Sequence, residues 1–433
     1  MSAAMLALYS ASMRAAQPLL RRKLARRALD EPGYAEAVEE RFGHYRQPAE
    51  LVSELVWVHA VSLGETRTAA ILLRAWRQAH PGLRVLLTHG TATGRAEGKA
   101  LLMPGDVQVW QPWDAPPCVA RFLAHFKPRL GVLMETEIWP AMMSAAQSHG
   151  IPVALVNARL SGKSLAQAQR MVWLARPAFS ALTAAMAQTR EDADRLRLLG
   201  TKVTGVFGNL KFDAQPDAGQ QVRGRAWQQA LDRPVVMLAS SREGEEAQFV
   251  RDVMQAKAAH AAQPFTPLIV PRHPQRFEAV QRLLEQQGLE VSRRSAWPLE
   301  GPIQHAGAAQ ADVWLGDTMG EMALYYSLSR VALLGGSFEP LGGQNLIEPA
   351  ACGCPVVMGP HTFNFTEAAR LARAEGAAFE VPGMSAAGLK LQQLLGEPVL
   401  LQAASAAGQA FAQRHSGATS RTVGALQALL AEG

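Results

Sequence analysis

An acidic residue stands where an apolar strand is expected to turn into a helix. The stretch "HAVSLGETRTAA", residues 59–70, follows the apolar run "ELVWVHA" and places Glu65 directly after Gly64. If the helix begins near Thr66, Glu65 lies at the carboxyl edge of the strand, beside a helix N-terminus whose dipole favours the ionised carboxylate. Such a carboxylate in a cleft can act as a general base. The position also suits an acid that only caps the helix, which the local stretch alone slightly favours, and both readings stay open at this point.

Two further carboxylates follow another apolar run. Glu135 and Glu137 lie in "LMETEIWPAMM", residues 133–143. Side chains at positions i and i+2 point to opposite sides of an extended backbone, so only one of the two is expected to face a cleft. One carboxylate then binds substrate while the other is structural. Ordinary solvation of both in a loop is the alternative.

The second half of the chain carries residues suited to anions. "LASSREGEE", residues 238–246, contains Ser240, Ser241 and Arg242, and "VPRHP", residues 270–274, adds Arg272 and His273. Backbone N–H groups ahead of a helix can bind an anion, and arginine makes paired hydrogen bonds to phosphate or carboxylate. These stretches therefore predict an anion site, although a histidine before proline is more often a packed loop residue than a catalytic one.

The densest signal is "LGDTMGEMALYYSLSRVALLGGSFEPLGGQNLIEPAACGCPVVMGP", residues 315–360. Its glycine-rich loops follow a predicted strand and precede a predicted helix, so backbone N–H groups can approach an oxygen-rich ligand closely. The loops contain Gly335, Gly336, Ser337, Gly342, Gly343 and Asn345. Glu348 falls early in the helix, where a carboxylate can accept hydrogen bonds from ribose hydroxyls. The spacing fits neither GxGxxG nor GxxxxGK[ST], which leaves a nucleotide-sugar site.

The elements that must position these residues alternate between short apolar strands and helices. The strand-like runs are "LVWVHAV", "RVLLTHG", "LGVLME", "IPVALVNA", "AMAQT" and "VTGVFGN", and then "PVVMLAS", "PLIVPRHP", "LEVSRRS", "ADVWLGD", "VALLGGS" and "CPVVMGP". This pattern predicts two Rossmann-like α/β domains, 31–215 and 216–405, that face each other across a cleft. Residues 406–433 are predicted to form a helix that packs back on the first domain. Ligands are expected at the carboxyl ends of the strands.

Composition narrows the class of protein. The 433 residues are 48% apolar and carry a net charge of +6, with the basic excess scattered along the chain, which is typical of a globular protein and argues against a nucleic-acid footprint. Three cysteines, Cys118, Cys352 and Cys354, make neither a disulfide framework nor a zinc site at usual spacing. The protein is therefore expected in a reducing compartment.

The N-terminus, residues 1–30, is the local exception to this scatter. Six basic residues and no acidic one lie between Arg14 and Arg27, directly after "MSAAMLALYSASM". The apolar part is shorter than the roughly 20 residues that span a bilayer. An amphipathic helix lying on the anionic cytoplasmic leaflet is favoured, and a basic helix packed on the body of the protein is the alternative.

The order of the motifs resembles one known family. "HAVSLGE", "METEIWP", "VNARLS", "GNLKFD", "ASSREGEE", "PRHPQRF", "GDTMGEM" and "GGSFEPLGGQNLIEPAACGCPVVMGP" are similar to the Kdo transferases, the 3-deoxy-D-manno-octulosonic acid transferases of lipopolysaccharide assembly. The run "PGYAEAVEERFGHY" is similar too, so the likeness covers nearly the whole chain. The N-terminal apolar segment departs from the family, because Ala, Ser and Arg14 interrupt a stretch that is often richer in leucine.

The resemblance implies a GT-B glycosyltransferase of the inner membrane's cytoplasmic face, with an N-terminal domain for the lipid A precursor and a C-terminal domain for CMP-Kdo. Glu65 would be the catalytic base, with Gly64, Glu135 and Glu137 on the acceptor side. The donor side would include Ser240, Ser241, Arg242, Arg272, His273, Gly320, Glu321, Gly335, Gly336, Ser337, Asn345 and Glu348. Attack from the face opposite CMP would invert the anomeric centre. No DxD-like metal pair stands out, so catalysis without a metal or other cofactor is predicted.

Two other functions fit parts of the sequence. A nucleotide-sugar 2-epimerase can use the same two-domain scaffold, cleft carboxylates and glycine-rich loops. A soluble epimerase has no need of the basic N-terminal segment, which favours the transferase. A non-catalytic membrane-associated scaffold is the third possibility, and it would keep its role after replacement of Glu65 by Gln.

Overall fold

The computed structural model describes residues 3–48, 54–255 and 263–432. Within them the chain forms two compact units, one built from the residues up to Asp213 together with those from Ser416 onwards, and the other from Ala214–His415. Each unit contains a sheet of seven parallel strands. The prediction of two α/β domains with parallel sheets is therefore confirmed.

The sheet of the first unit has the strand order β3-β2-β1-β4-β5-β6-β7. The strands are β1 (Leu55–His59), β2 (Arg84–His89), β3 (Val107–Trp110), β4 (Leu130–Met134), β5 (Val153–Ala158), β6 (Ala184–Ala187) and β7 (Val203–Val206). Every residue of β1, β4, β5 and β6 is buried, because these apolar runs face packed helices on both sides. The order reverses between β1 and β4, and open α/β sheets bind ligands at such a switch point.

Helices cover both faces of this sheet. In the first part of the chain they are α1 (Ala3–Ala15), α2 (Gln17–Asp30), α3 (Leu63–Ala79), α4 (Ala92–Lys99), α5 (Pro116–Phe126), α6 (Pro140–Ser148), α7 (Gly162–Arg170), α8 (Val172–Ser180) and α9 (Arg190–Leu198). One buried cluster contains Phe122 of α5, Met143 of α6 and Ala178 of α8. A second cluster contains Leu72 and Trp76 of α3. The strands therefore lie between two packed apolar layers.

The second unit repeats the architecture with the order β10-β11-β9-β8-β12-β13-β14. Its strands are β8 (Val235–Ser241), β9 (Thr266–Pro271), β10 (Val291–Arg293), β11 (Val313–Leu315), β12 (Ser329–Leu334), β13 (Val356–Met358) and β14 (Ala378–Glu380). Its helices are α10 (Ala218–Ala230), α11 (Glu245–Phe249), α12 (Phe277–Gln286), α13 (Ala306–Gln310), α14 (Met322–Leu328), α15 (Ile347–Cys352), α16 (Thr366–Ala374), α17 (Met384–Gly396) and α18 (Pro398–Arg414). The switch point lies between β8 and β12.

The chain returns to the first unit later than the predicted residue 406. The second unit extends to His415 because Arg414 Nη1 and His415 Nε2 each lie 2.8 Å from the carboxylate of Glu375. Helix α19 (Ala418–Glu432) then joins the first unit, where its Val423 and Leu426 enter the cluster of α3. The other boundary lies at Asp213, close to the predicted residue 215.

The N-terminal segment is helical where the structure describes it, and residues 1 and 2 of the predicted membrane segment 1–30 lie outside the described residues. Tyr9 Oη donates a hydrogen bond of 2.8 Å to Asp114, and Leu24 is buried. Arg14, Arg22, Lys23 and Arg26 are exposed. Among the described helices none is both long and apolar enough to cross a bilayer. One side of the segment thus packs on the protein while basic side chains face outward.

Candidate active site

Glu65 lies at the switch point of the first unit, in the first turn of α3. Ser62 is the N-cap residue, and its Oγ accepts a hydrogen bond of 3.3 Å from the backbone N–H of Glu65. The Glu65 carboxylate accepts in return from the N–H of Val61 at 2.9 Å and from the Ser62 hydroxyl at 3.0 Å. This reciprocal pattern is a variant of the capping box, in which the glutamate accepts from the N–H of the residue before the N-cap instead of from the N–H of the N-cap itself. Glu65 therefore does cap the helix, and each oxygen retains room for a further hydrogen bond because a carboxylate accepts about four.

The electrostatics of Glu65 suit a second role. Burial raises its pKa to about 7, although the hydrogen bonds from Val61 and Ser62 act in the opposite direction. The negative charges of Glu137 and Glu135 raise the pKa further, so the structure brings the three predicted carboxylates near one another. A carboxylate with a pKa near neutrality is matched to proton transfer at physiological pH.

The loop that carries Glu65 is fixed by residues that sequence reasoning missed. The carbonyl oxygen of Val61 accepts from the N–H of Gly90 at 3.2 Å and from the hydroxyl of Thr91 at 2.9 Å. The hydroxyl of Thr66 donates to Ser62 O at 2.9 Å and lies against buried His89, whose pKa burial lowers to about 4. The end of β2 thus fixes the loop after β1. No local pattern in "THGT" indicates this role.

Gly64 presents bare backbone next to Glu65. It is exposed, and a Cβ added there would meet only the Oγ of Ser62, at 3.9 Å. Packing within the described part of this unit therefore does not require glycine at this position. The space beside Glu65 is open to a ligand.

Glu135 and Glu137 follow β4 and have different partners. Glu135 adopts a left-handed backbone with φ of 57°, which is strained for a residue with a side chain. Its carboxylate lies 3.8 Å from Arg159 and 3.6 Å from Lys211. Glu137 accepts a hydrogen bond of 3.2 Å from the indole of Trp139, and burial followed by the charge of Glu135 raises its pKa. Glu135 is thus neutralised by cations, whereas Glu137 is not.

Asn157 connects the end of β5 to the turn that holds Lys211. Asn157 is buried with φ of 51°, and its Oδ1 accepts from the N–H of Leu210 at 3.0 Å. Its Nδ2 is buried without an acceptor among the described residues. Asn157 and Lys211 lie within the quoted motifs "VNARLS" and "GNLKFD" but received no role from the sequence. Their place in these two motifs was the feature of the sequence that could have identified both residues as functional.

In the second unit the loop after β8 is fixed by hydrogen bonds to buried side chains of the protein. Ser240 has a left-handed φ of 55°. The hydroxyl of buried Ser241 donates 2.6 Å to Glu246, which also binds Arg276 through two contacts of 2.6 and 3.1 Å. Ser241 is therefore engaged by the protein rather than turned to a ligand.

The glycine-rich turn after β12 differs from its predicted role. The N–H of Gly335 donates to Ala239 O at 2.8 Å, and the N–H of Gly336 donates to both carboxylate oxygens of Glu245 at 2.8 Å. Glu245 is buried and also accepts from Phe338 N at 3.3 Å and from Arg242 N at 2.9 Å. The Ser337 hydroxyl donates to Leu334 O and accepts from Gly359 N at 2.8 Å. Buried amides must find acceptors, and in this turn the acceptors are the Glu245 carboxylate and backbone carbonyls of the protein, so these groups do not face a ligand.

Gly320 and Glu321 lie in the loop after β11, which β9 separates from the switch point. The carboxylate of Glu321 accepts from Arg294 at 3.0 Å and from Thr318 Oγ1 at 2.5 Å. The carbonyl of Gly320 accepts from Gln220 at 2.8 Å, and its φ of 77° favours glycine. In this structure both residues have structural partners.

The other residues predicted for the donor side have either unused hydrogen-bonding capacity or a positive charge. Arg242, Arg272 and His273 come together, because the two arginines contribute after burial to the lowered pKa of exposed His273. Asn345 Oδ1 accepts from Ile347 N at 3.0 Å at the start of α15. Burial raises the pKa of Glu348, whose carboxylate has no hydrogen-bond or ion-pair partner within the described residues. These are the second unit's open positions for an anionic, hydroxyl-rich ligand.

The described residues contain no group of three or more His, Cys, Asp or Glu side chains arranged to hold a metal ion. The thiols of Cys118, Cys352 and Cys354 are buried and unpaired. Neither observation assigns a role to these side chains.

The two sheets and their switch points define a GT-B glycosyltransferase fold. A glycosyltransferase from Rickettsia africae has a similar structure, with a TM-score of 0.55, 12% identity and coverage of 87% of this chain and 99% of that one. UDP-GlcNAc 2-epimerase from Neisseria meningitidis, bound to UDP-GlcNAc, also has a TM-score of 0.55, with 17% identity and coverage of 86% and 99%. At these identities the likeness shows the fold alone.

Sequence comparison gives the family. Residues 36–214 match the family model described as 3-deoxy-D-manno-octulosonic-acid transferase. The 3-deoxy-D-manno-octulosonic acid transferase of Bordetella pertussis is 48% identical over 430 residues, which cover 97% of this chain and 98% of that protein. The chain therefore belongs to the Kdo transferases, glycosyltransferases of lipopolysaccharide biosynthesis, and the resemblance inferred from its motifs is confirmed.

Proposed function

We propose that the protein is an inverting glycosyltransferase that moves Kdo from CMP-Kdo to the lipid A precursor. The observation that carries this proposal is the carboxylate of Glu65, which lies at a switch point beside bare backbone and has a pKa of about 7. A base with this pKa can take a proton from a hydroxyl group as that oxygen becomes a nucleophile. Membership of the Kdo transferase family supports the choice of sugar.

The proposed step is a single displacement. The primary hydroxyl oxygen of the acceptor glucosamine attacks the anomeric carbon of Kdo, Glu65 receives the hydroxyl proton, and the bond to the CMP phosphate oxygen breaks. CMP leaves with the electron pair. Attack from the face opposite CMP inverts the anomeric centre, and the transition state has oxocarbenium character, as in other glycosyl chemistry.

The acceptor and donor groups belong to different units. In the first unit Gly64, Glu135 and Glu137 are proposed to contact the acceptor, with Arg159 and Lys211 holding Glu135 in place. In the second unit the positive group of Arg242, Arg272 and His273 is proposed to neutralise the phosphate and the Kdo carboxylate. Glu348 and Asn345 are proposed to bind hydroxyl groups of the nucleotide.

Catalysis is proposed to need no metal ion, because basic side chains can stabilise the departing phosphate. Activity should survive dialysis against EDTA. Loss of transfer in EDTA that magnesium restores would refute this part of the proposal while leaving the transfer reaction intact.

The protein is proposed to work at the cytoplasmic face of the inner membrane. Its acceptor is a lipid, and the exposed basic side chains Arg14, Arg22, Lys23 and Arg26 suit the anionic leaflet. Deletion of the N-terminal segment should then weaken binding to anionic vesicles, and unchanged binding would remove this segment from the proposal.

The deciding experiment is mass spectrometry of products from purified protein given CMP-Kdo and the tetraacylated lipid A precursor. Acceptor masses raised by whole Kdo units support the proposal, and the number of units gives the extent of transfer. Unchanged acceptor beside bound CMP refutes it for these substrates. Interconversion of a sugar nucleotide without a lipid would favour the 2-epimerase, and full function of Glu65→Gln would favour a scaffold.

A further inference from the structure

The corner between α7 and α8 exposes three consecutive apolar side chains. Met171, Val172 and Trp173 are 45%, 45% and 40% exposed. Met171 is the N-cap residue of α8, which begins without a side-chain cap. Single apolar residues on a surface need no explanation, but a contiguous exposed group that includes tryptophan indicates an interaction surface.

The corner packs only loosely against the core of the first unit on its α7 side. Helix α7 contributes no buried residue, and only Leu165 and Ala168 pack partly against the core. Helix α8 is anchored one turn later by buried Leu174 and Ala178. The exposed group therefore has a firm base on one side and solvent on the other.

The chain segment that contains the corner is basic. The 53 residues from Ile138 to Arg190 contain no Asp or Glu, yet they contain five basic residues. Lys163, Arg170 and Arg176 flank the exposed group, are themselves exposed, and have no carboxylate partner within the described residues. A surface of this kind is complementary to a negatively charged one.

Helix α7 connects the corner to the neighbourhood of the proposed acceptor carboxylates. Arg159 pairs with Glu135 at 3.8 Å, and α7 begins three residues later. Tyr9 of α1 packs on the same buried cluster as Phe179 of α8, so the basic N-terminal segment and the corner share one face of the sheet. A surface that meets the corner would thus lie on the side from which a lipid acceptor can reach Glu135.

We propose that the α7–α8 corner inserts Met171, Val172 and Trp173 into the interfacial layer of a membrane containing anionic phospholipid. Lys163, Arg170 and Arg176 contact the headgroups. An apolar tip with tryptophan and a basic border is the pattern of interfacial membrane contacts. The inference rests on the proposed function, because a lipid acceptor gives the membrane contact its purpose, and the corner acts in addition to the N-terminal segment.

A site-specific label tests insertion directly. Cys118, Cys352 and Cys354 are buried, so an environment-sensitive fluorophore can be attached to Val172→Cys in the full-length protein. Its emission should shift to the blue with phosphatidylcholine vesicles that contain phosphatidylglycerol, and much less with phosphatidylcholine alone. The matched control is Leu198→Cys, an exposed position at the end of α9 in the same unit, which should not respond. No shift at position 172, or an equal shift at 198, overturns the proposal.

Vesicle sedimentation tests the energetics of the contact. The triple variant Met171→Ser/Val172→Ser/Trp173→Ser should partition about tenfold more weakly into anionic vesicles, as should Lys163→Gln/Arg170→Gln/Arg176→Gln. The control Met103→Ser/Leu198→Ser/Val206→Ser removes three apolar side chains that are 55%, 65% and 47% exposed elsewhere on the unit, and it should partition as wild type does. Wild-type partitioning of the first triple variant overturns the proposal.

Activity separates this inference from the proposed function. The first triple variant should transfer Kdo to a water-soluble, deacylated acceptor at the wild-type rate and lose activity only toward acceptor in vesicles. Equal loss on both acceptors would assign the corner to folding or catalysis and overturn membrane docking. If the wild type transfers Kdo to neither acceptor, the proposed function fails, while the label and sedimentation results still decide whether the corner binds a membrane.

Discussion

The two units place a glutamate at the same point of their sheets and use it differently. Glu65 follows β1 and Glu245 follows β8, each in the first turn of a helix at its unit's switch point. Glu245 is fully buried and accepts from three backbone N–H groups in two loops. Glu65 is partly exposed and accepts one hydrogen bond on each oxygen. A saturated carboxylate is structural, whereas one with unfilled valences and bare backbone beside it can meet a substrate.

The largest expected effect tests the chemical half of this comparison. Glu65→Gln keeps the size and one acceptor oxygen but cannot take a proton, so kcat should fall by about 10³-fold, a typical contribution of general base catalysis. The variant should retain its CMP affinity and its thermal transition. The measurement is a rate assay on CMP release and acceptor mass.

A matched control for this variant is Glu97→Gln, which removes a partly exposed carboxylate of the same unit that pairs with Arg67 at 2.9 Å. Its kcat should be unchanged, because surface ion pairs contribute little. A Glu65→Gln enzyme with more than a tenth of wild-type kcat would show that the capping role is its whole role.

The second effect tests the structural half. In Glu245→Gln an amide NH₂ group replaces one acceptor oxygen and faces backbone N–H donors of the loops after β8 and β12. Each buried N–H group that is left without an acceptor costs about 1–3 kcal/mol of stability. The loops should separate, and CMP affinity should fall by about 10- to 100-fold. Turnover at saturating CMP-Kdo should stay within about threefold of wild type. Calorimetric titration with CMP and steady-state kinetics measure the two quantities.

Folding is checked separately for this position. Glu245→Asp keeps the charge and tests whether shortened hydrogen-bond reach gives a partial effect on CMP affinity at an intact thermal transition. Glu278→Gln, which removes an exposed carboxylate of the same unit, should behave as wild type. Wild-type CMP affinity in a folded Glu245→Gln protein would contradict the assignment of Glu245 as a positioning residue.

The difference between the two glutamates shows which structural features can be predicted from the sequence. Apolar runs such as "LVWVHAV" predict strands because period and burial are encoded locally, and Glu65 could be placed at a strand end and helix start for the same reason. The structure shows the capping role of Glu65 at the start of α3, and the raised pKa suits the general-base role, which stays a prediction.

Contacts between residues far apart in the sequence could not be predicted from local sequence patterns. The amide of Gly336 is bound by Glu245, 91 residues away, and nothing in the glycine spacing indicates that a protein carboxylate occupies this turn. Lys211 likewise reaches Glu135 across 76 positions through a turn held by Asn157. Such pairings depend on which strands become neighbours, so they follow from topology rather than from local pattern.

The third effect contrasts two glycines. A Cβ at Gly335 would lie 2.5 Å from Ser240 O, so Gly335→Ala should lower the free energy of unfolding by about 1–3 kcal/mol through overpacking. Gly64→Ala meets only Ser62 Oγ at 3.9 Å and should leave stability unchanged or slightly higher. If the acceptor approaches the backbone there, transfer should still fall about tenfold, on the scale of a single lost contact. Denaturant titration and kcat/KM separate the two, and full activity of Gly64→Ala would remove this residue from the acceptor site.

The pH dependence of the rate gives the fourth effect. Because Glu65 must be ionised to act as a base and its pKa is about 7, kcat/KM should rise about tenfold per pH unit below 7 and level off above it. This limb should disappear in the residual activity of Glu65→Gln. A limb that persists in the variant would belong to another carboxyl group, with Glu137 and Glu348 the first to examine because burial raises the pKa of each.

The smallest effect concerns stability at the same residue. Since the folded protein raises the pKa of Glu65 from 4.5 to about 7, the unfolded chain loses this proton first as the pH increases, and the folded state becomes relatively less stable between these values. The wild-type free energy of unfolding should therefore fall by on the order of 2 kcal/mol more than that of Glu65→Gln between pH 4.5 and 8. Urea titrations of both proteins across this range measure the difference, and parallel curves would mean that Glu65 titrates normally. Burial raises the pKa of Glu245 as well, so a pH slope by itself does not separate the two glutamates; only the part of the slope that disappears in Glu65→Gln belongs to Glu65.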